Sequence, residues 1–210
     1  MLTSRCRSPI IGLLFVLPAL GGCAFGPFGP IPGIITGDPE NLVLNPDASL
    51  GTQHWTVYTA DAFVQSDSGN PTFTSRNGAY MWQIVDISQV PGAYAVLMGI
   101  TATQTIAVNG MGHLHGDFRD AANPGTAIGY LDSNDMYSRS NIPNEWVVLA
   151  EYFPIPIGTG SVSIMLDASD LPGQPRDGAV TWFDDIALYV VDSEQEAQEI
   201  IDTYTADHTW

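Results

Sequence analysis

The sequence predicts an all-β domain, a sandwich or a barrel, followed by one short helix. Three observations carry this. Short runs with apolar residues at every second position recur from Asn41 to Val191. Turn residues separate them, drawn from a stock of 21 Gly and 15 Pro that a helical chain would not tolerate. Only one stretch, near the C-terminus, has helical period. At 210 residues the chain has room for one sizeable domain and not comfortably for two.

The strands follow in order. "NLVLN" is a short apolar run stopped by Asn45-Pro46-Asp47, where Pro fixes φ and Asp bonds its own backbone. It is expected to pair with "HWTVYT", which places Trp55 and Val57 on one face. "AYMWQIVDI" and "AYAVLMGITA" are separated by Ser88 to Gly92. "QTIAVNGMGHLHGDF" puts Gly112 and Leu114 on one face and His113, His115 and Asp117 on the other. "TAIGYLD" ends at a hairpin-like turn, Asp132-Ser133-Asn134-Asp135. "EWVVLAEYF" stops at Pro154, "GSVSIMLDA" alternates Val162, Ile164 and Leu166, and "AVTWFDDIALYVV" closes the set. About nine strands are thus expected, the pattern of a sandwich or barrel. Ser193 to Ala206 reads as the helix, with early acids and a stripe of Ala197, Ile200, Ile201 and Tyr204.

The N-terminus reads as an export signal. Arg5 and Arg7 form a basic start, Ile10 to Leu20 an apolar stretch too short to span a bilayer, and Leu20-Gly21-Gly22-Cys23 a bacterial lipobox. Residues 1–22 are then a lipoprotein signal peptide and Cys23 the lipidated residue. An ordinary signal peptide with a chance Cys is the alternative. Ala24 after the Cys resembles the pattern sorted to the outer membrane. Residues 23–40 form a Gly/Pro-rich tether, 41–191 the β-domain, and 192–210 the acidic C-terminal helix and tail. Cys6 leaves with the signal, so the folded domain has no thiol chemistry or disulfide. The expected location is the bacterial cell envelope, with the lipid on Cys23 as the only membrane contact.

Charge excludes some partners. The chain has no Lys and six Arg against 23 acids, a formal net charge of −17. Such a surface repels nucleic acid and anionic lipid. Solubility, cation binding at a few carboxylates, and a cationic partner all remain as readings of the charge.

The two ends of the domain carry a resemblance. "NLVLNPDASLGTQHW" and "TWFDDIALYV", with "GYLDSND" and "EWVVLAEYFPIPIGTGSVSIMLDA" between them, resemble the galactose-binding-like β-sandwiches. This class includes carbohydrate-binding modules and the sugar-recognising domain of some F-box proteins. The resemblance spans roughly Asn41 to Val191. It implies a jelly-roll β-sandwich that binds a polysaccharide or glycan. It also implies a structural Ca2+ between the first loop and the last strand. In that pattern a Glu of the first loop and an Asp of the closing "Phe-Asp-Asp" are ligands, together with backbone oxygens. Here Ser49 stands where that Glu would fall. Asp47, Asp184 and Asp185 are the carboxylates that would supply the site, and with Ser49 present the site is either lost or rebuilt on Asp47.

Sugar binding needs flat aromatic faces and a few fixed polar groups. Tyr80 and Trp82 straddle Met81 and share one strand face. Arg76 and Asn77 lie just before them, Tyr137 and Arg139 follow "GYLDSND", and Arg176 lies in "DLPGQPRDG". If these loops share a rim, they make a polar cleft with aromatic walls. The alternative is that Tyr80 and Trp82 are core, as expected for Trp55, Trp146 and Phe183. His113, His115 and Asp117 fall in step along one strand and suit a metal by residue type, or else form a polar outer face. No catalytic motif is present. Only Glu145, Glu151 and Asp167, if folding paired them in a cleft, would make a glycosidase. The sequence therefore points to a lipid-anchored binding module for carbohydrate and not to an enzyme. The alternative is a structural or adhesion component of the envelope.

Overall fold

The computed structural model describes residues 39–67, 70–76, 78–104, 112–138, 142–168 and 180–209. The signal segment, Cys23 and most of the tether lie outside the described residues. All of the described residues fall in one compact unit, Pro39–Trp210.

Among the described residues ten strands form two five-stranded antiparallel sheets. They are β1 Thr56–Val57, β2 Ala62–Asp67, β3 Asn70–Arg76, β4 Tyr80–Asp86, β5 Tyr94–Thr103, β6 His113–Asp120, β7 Ala127–Leu131, β8 Val147–Pro154, β9 Thr159–Asp167 and β10 Val180–Val191; helix α1 is Glu194–Asp207. The first sheet has the order β1-β4-β9-β6-β7 and the second β2-β3-β10-β5-β8. The fold is a jelly-roll β-sandwich with a short C-terminal helix. Inward side chains from both sheets make the core, among them Phe73, Met81, Leu97, Leu114, Phe118, Ile164, Leu166, Phe183 and Ile186. Each sheet is held by alternation, so one register slip would turn a core row to solvent.

The opening pair differs from the sequence reading. Residues 41–45 form no strand, and only Thr56–Val57 of the second run does. The reason lies in side-chain amides that replace a ladder. The buried Gln83 accepts from Leu44 N and donates to Leu44 O, both at 2.8 Å. Leu42 N donates to Leu188 O at 2.9 Å. The segment thus bridges the two sheets instead of joining one. Asn45, at φ 53°, donates to the carbonyls of Gly51 and Gln53 and accepts from Leu50 N, which organises the first loop.

Two strands escaped the sequence reading. β2 and β3 pair in register from Ala62↔Ser75 to Asp67↔Asn70, in a stretch rich in Ser, Thr and Asn. The expected hairpin at Asp132–Asp135 is instead a 3-10 turn, Asn134–Met136, capped by Ser133. A hairpin cannot form there, because β7 and the following β8 belong to different sheets. Trp55 and Phe183 are core as expected, whereas Trp146 is only half-buried and outside the core.

Helix α1 forms where expected. Ser193 caps it by accepting from Glu196 N at 3.2 Å. Its stripe of Ala197, Ile200, Ile201 and Tyr204 packs on the outer face of the second sheet, against Val96, Met98, Ala187 and Val191. This accounts for β5: eight of its ten residues are buried, since one face meets the core and the other meets α1.

Candidate functional site

The outer face of the first sheet is the candidate site. On β4, Met81, Gln83 and Val85 are buried, which turns Tyr80, Trp82 and Ile84 outward. On β9, Met165 and Asp167 point outward, and on β6 so do His113, His115, Asp117 and Arg119. Strand register then arranges rows. Tyr80, Asp167 and His113 make one, Trp82, Met165 and His115 the next, and Ile84, Ser163, Asp117 and Tyr130 the third.

Rings bound the first row at both ends. Tyr58 N donates to Tyr80 O at 3.0 Å, and the two rings stack with centroids 4.4 Å apart and planes 12° apart. Trp82 leans on Tyr80, centroids 5.6 Å apart. At the other end Tyr137 bridges to His113, and their rings stack at 3.7 Å. His115 stacks on His113 at 4.0 Å. His113 is thus enclosed by rings, and its Nε2 lies 3.0 Å from Asp132 Oδ1.

The imidazoles are neutral at neutral pH. Burial pushes His115 down to about 4, helped by the charge of His113. Burial also lowers His113, against the raising effect of Asp132. Tyr137 is pushed up by burial and then by the charges of Asp132 and Asp167. Asp117 is engaged by Arg119, whose Nη2 donates to Asp117 Oδ2 at 2.8 Å and whose Nε faces the other oxygen. The face therefore combines flat rings with neutral imidazoles and acceptor carboxylates.

Tyr80, Trp82 and Tyr137, singled out from the sequence, meet on this face, and Tyr80 and Trp82 are not core. Arg76 stands at the end of β3 in the second sheet, with its guanidinium 4.8 Å over the Phe63 ring. Asn77, Arg139 and Arg176 lie outside the described residues. The alternation of "HLHGDFR" gave the correct outer face for His113, His115 and Asp117. Their metal reading is corrected: the two rings are stacked and Asp117 is held by Arg119. Among the described residues no group of three or more His, Cys, Asp or Glu is placed to hold a metal ion. Tyr58 and Asp132 were missed. For Tyr58 the signal was present, since it alternates against Trp55 and Val57.

The three carboxylates weighed for hydrolysis do not share a cleft. Asp167 faces outward from the first sheet. Glu151 lies on β8 of the second, between inward Leu149 and Phe153, and its carboxylate accepts from the Ser133 hydroxyl. Glu145 is exposed ahead of β8.

Asp47, Asp184 and Asp185 are brought near one another at the other place of interest. Asp184 is pushed up to about 7 by burial and by the charges of Asp185 and Asp47.

The chain matches no protein-family model and no curated protein. Its fold is similar to solved structures. One is the C-terminal family 22 carbohydrate-binding module of Clostridium thermocellum Xyn10B: TM-score 0.50, 18% identity, 74% of this chain and 98% of that one. Another is the enzymatically active domain of tailspike protein 4 of bacteriophage CBA120: TM-score 0.51, 15% identity, 72% of this chain. The matched region spans only 21% of that tailspike chain. A third is a family 16 carbohydrate-binding module, with TM-score 0.47, 20% identity, and 70% and 99% of the two chains covered. At these identities the likeness establishes the jelly-roll β-sandwich and nothing finer.

Proposed function

We propose that this chain is a lipid-anchored, extracytoplasmic carbohydrate-binding module whose platform is the open outer face of the first sheet. The observation that carries the reading is the aromatic group of Tyr58, Tyr80 and Trp82 on that face, with Asp167 opposite Tyr80 and Asp132 on His113 at the far end of the row. A sugar ring presents a flat C–H surface and a rim of hydroxyl donors. Rings bind the first and carboxylates the second. Trp82 and Tyr80 stack the ligand. Asp167, on the strand between the two ring walls, and Asp132 accept from its hydroxyls. Asn77 and Arg139, close in sequence to Tyr80 and Tyr137, are proposed to fix further hydroxyls, as is Arg176 from its loop, whereas Arg76, held over Phe63 in the second sheet, has no part in this platform. The family 22 module is named for a cleft that acts in ligand binding, and this supports a binding role for the shared fold. The separation of Glu151 from Asp167 speaks against hydrolysis, which needs two carboxylates facing one sugar. The lipid anchor at Cys23, and with it an envelope location at the outer membrane, rests on the lipobox alone.

The test is a glycan array followed by affinity electrophoresis in soluble polysaccharides. Retardation in at least one polysaccharide, lost in Trp82→Ala with folding intact, is the expected result. No binding across a broad array by folded protein would move the function to a structural role in the envelope.

A further inference from the structure

The resemblance implies a calcium ion fastening the first loop to the last strand, and the residues at that place do not fit one. The loop and the strand are already joined directly. Ile186 N donates to Pro46 O at 3.1 Å, Asn41 Nδ2 donates to Ile186 O at 3.1 Å, and Leu188 N donates to Asn41 Oδ1 at 3.1 Å. The first loop lacks a carboxylate at Ser49. Asp47 folds back on its own loop, where Oδ1 accepts from Ser49 N at 3.1 Å. Asp184 Oδ1 accepts from Asp185 N at 3.0 Å. Calcium requires six to eight oxygens converging on one point. Among the described residues no group of three or more His, Cys, Asp or Glu is placed to hold such an ion.

Helix α1 stands at this place instead. β10 bulges between Asp184 and Ala187, and Asp185 sits there at φ 49°. The Tyr204 hydroxyl donates to Asp185 O at 2.7 Å. His208 Nε2 lies 3.2 Å from Asp185 Oδ2, and its Nδ1 lies 2.8 Å from Tyr204 O. The ring also stacks on Tyr204 at 4.2 Å. Tyr204 and His208 thus reach both the carbonyl and the carboxylate of the bulge residue Asp185.

We propose that α1 replaces the calcium ion of the proteins this chain resembles. Tyr204 supplies the hydrogen bond to the bulge carbonyl, and His208 the contact to the Asp185 carboxylate. The helix is then a built-in clamp of the sandwich and not an appendage. The proposal is independent of sugar binding, which uses the other sheet.

The experiment is thermal unfolding of the protein in EDTA and in millimolar calcium, with calorimetric calcium titration of the same sample. The expected result is one midpoint in both buffers and no binding heat. The double variant Tyr204→Phe, His208→Ala is expected to lower the midpoint by about 4–8 °C, as it loses the Tyr204 hydroxyl's hydrogen bond and both His208 contacts. If it fails to fold, His208→Gln alone is expected to give about half that fall. Stoichiometric calcium binding with a raised midpoint would overturn the proposal. So would a midpoint unmoved by loss of both side chains.

Discussion

The outer face of the first sheet carries Tyr58, Tyr80, Trp82, His113 and His115, and that of the second carries Val96, Met98, Ala187 and Val191. The same architecture has made two surfaces, and α1 packs on the second. The difference follows from the side chains. Aliphatic rows have no polar atom to offer water, so leaving them bare costs about 25 cal/mol per Å². Rings with hydroxyl, indole or imidazole tips tolerate one wet side. Among the exposed large apolar residues, Ile84 at 63% and Tyr130 at 71% lie in the third row of the open face. The second sheet's outer face is thus closed by α1, whereas on the first Tyr58, Ile84 and Tyr130 are exposed and His113 and Ser163 are buried.

The largest expected effect breaks the covered side. Ala197 of α1 is fully buried against the second sheet. Ala197→Asp forces an unpaired charge into the Val96–Met98 patch, at a cost of about 3 kcal/mol or more. The melting midpoint should fall by roughly 6–12 °C. Below that midpoint, affinity for the glycan should be unchanged, which calorimetric titration at low temperature would check. Loss of both together would show that the two faces are not separable.

The next breaks the open side. Truncating a stacking aromatic typically costs about 2 kcal/mol, so Trp82→Ala should weaken glycan binding roughly 30-fold. Its melting midpoint should stay within about 2 °C of the parent, because the ring is outside the core. A large drop in midpoint with unchanged affinity would reverse the assignment of this face.

Much of this contrast was legible in the sequence, for reasons that differ by element. "YAVLMGITA" reads as apolar on both sides, and the stripe Ala197, Ile200, Ile201 and Tyr204 supplies what covers it. Alternation in "HLHGDF" sorted the outer residues of β6, whereas in "AYMWQIVDI" it put Tyr80 and Trp82 on one face and left open whether that face was core. β2 and β3 were missed because Ser, Thr, Asn and Gln break up their few apolar residues, Ala62, Phe63, Val64 and Phe73, and Thr74 and Ser75 are buried all the same. "NLVLN" looked like a strand because its apolar period is right. Its hydrogen bonds go to side-chain amides of Gln83 and Asn41, which no periodicity reveals. The pairing of Tyr137 with His113 depends on a return of the chain after the 3-10 turn, so composition could suggest the residue and not its neighbour.

A pH series sharpens the contrast on the open face. His115 in the folded chain titrates at about 4, below its ordinary 6.5, because it is buried. Between those values the unfolded chain holds more protons than the folded one. Stability from this group is therefore complete above about 6.5 and is lost as pH falls towards 4. His113 shifts in the same direction. The midpoint should decline over this window, and His115→Gln should make the decline shallower by a few degrees, roughly the effect of 1 kcal/mol. An unchanged slope would mean that the imidazole is open to water.

The smallest effect tests how firmly the cover must be fixed. Ser193 caps α1 through Glu196 N, and the Glu196 carboxylate returns to accept from Asp192 N at 3.2 Å. Removing such a cap costs about 1 kcal/mol, so Ser193→Ala should lower the midpoint by about 2–4 °C. The helix would fray at its first turn, yet Ile200, Ile201 and Tyr204 lie further along and would keep it seated. Glycan affinity should not move, since nothing in the first turn touches the first sheet's outer face. If affinity fell with so mild a loosening, the strain would have crossed the core from β10 and β5 to β4 and β6. The open face would then owe its shape to the covered one.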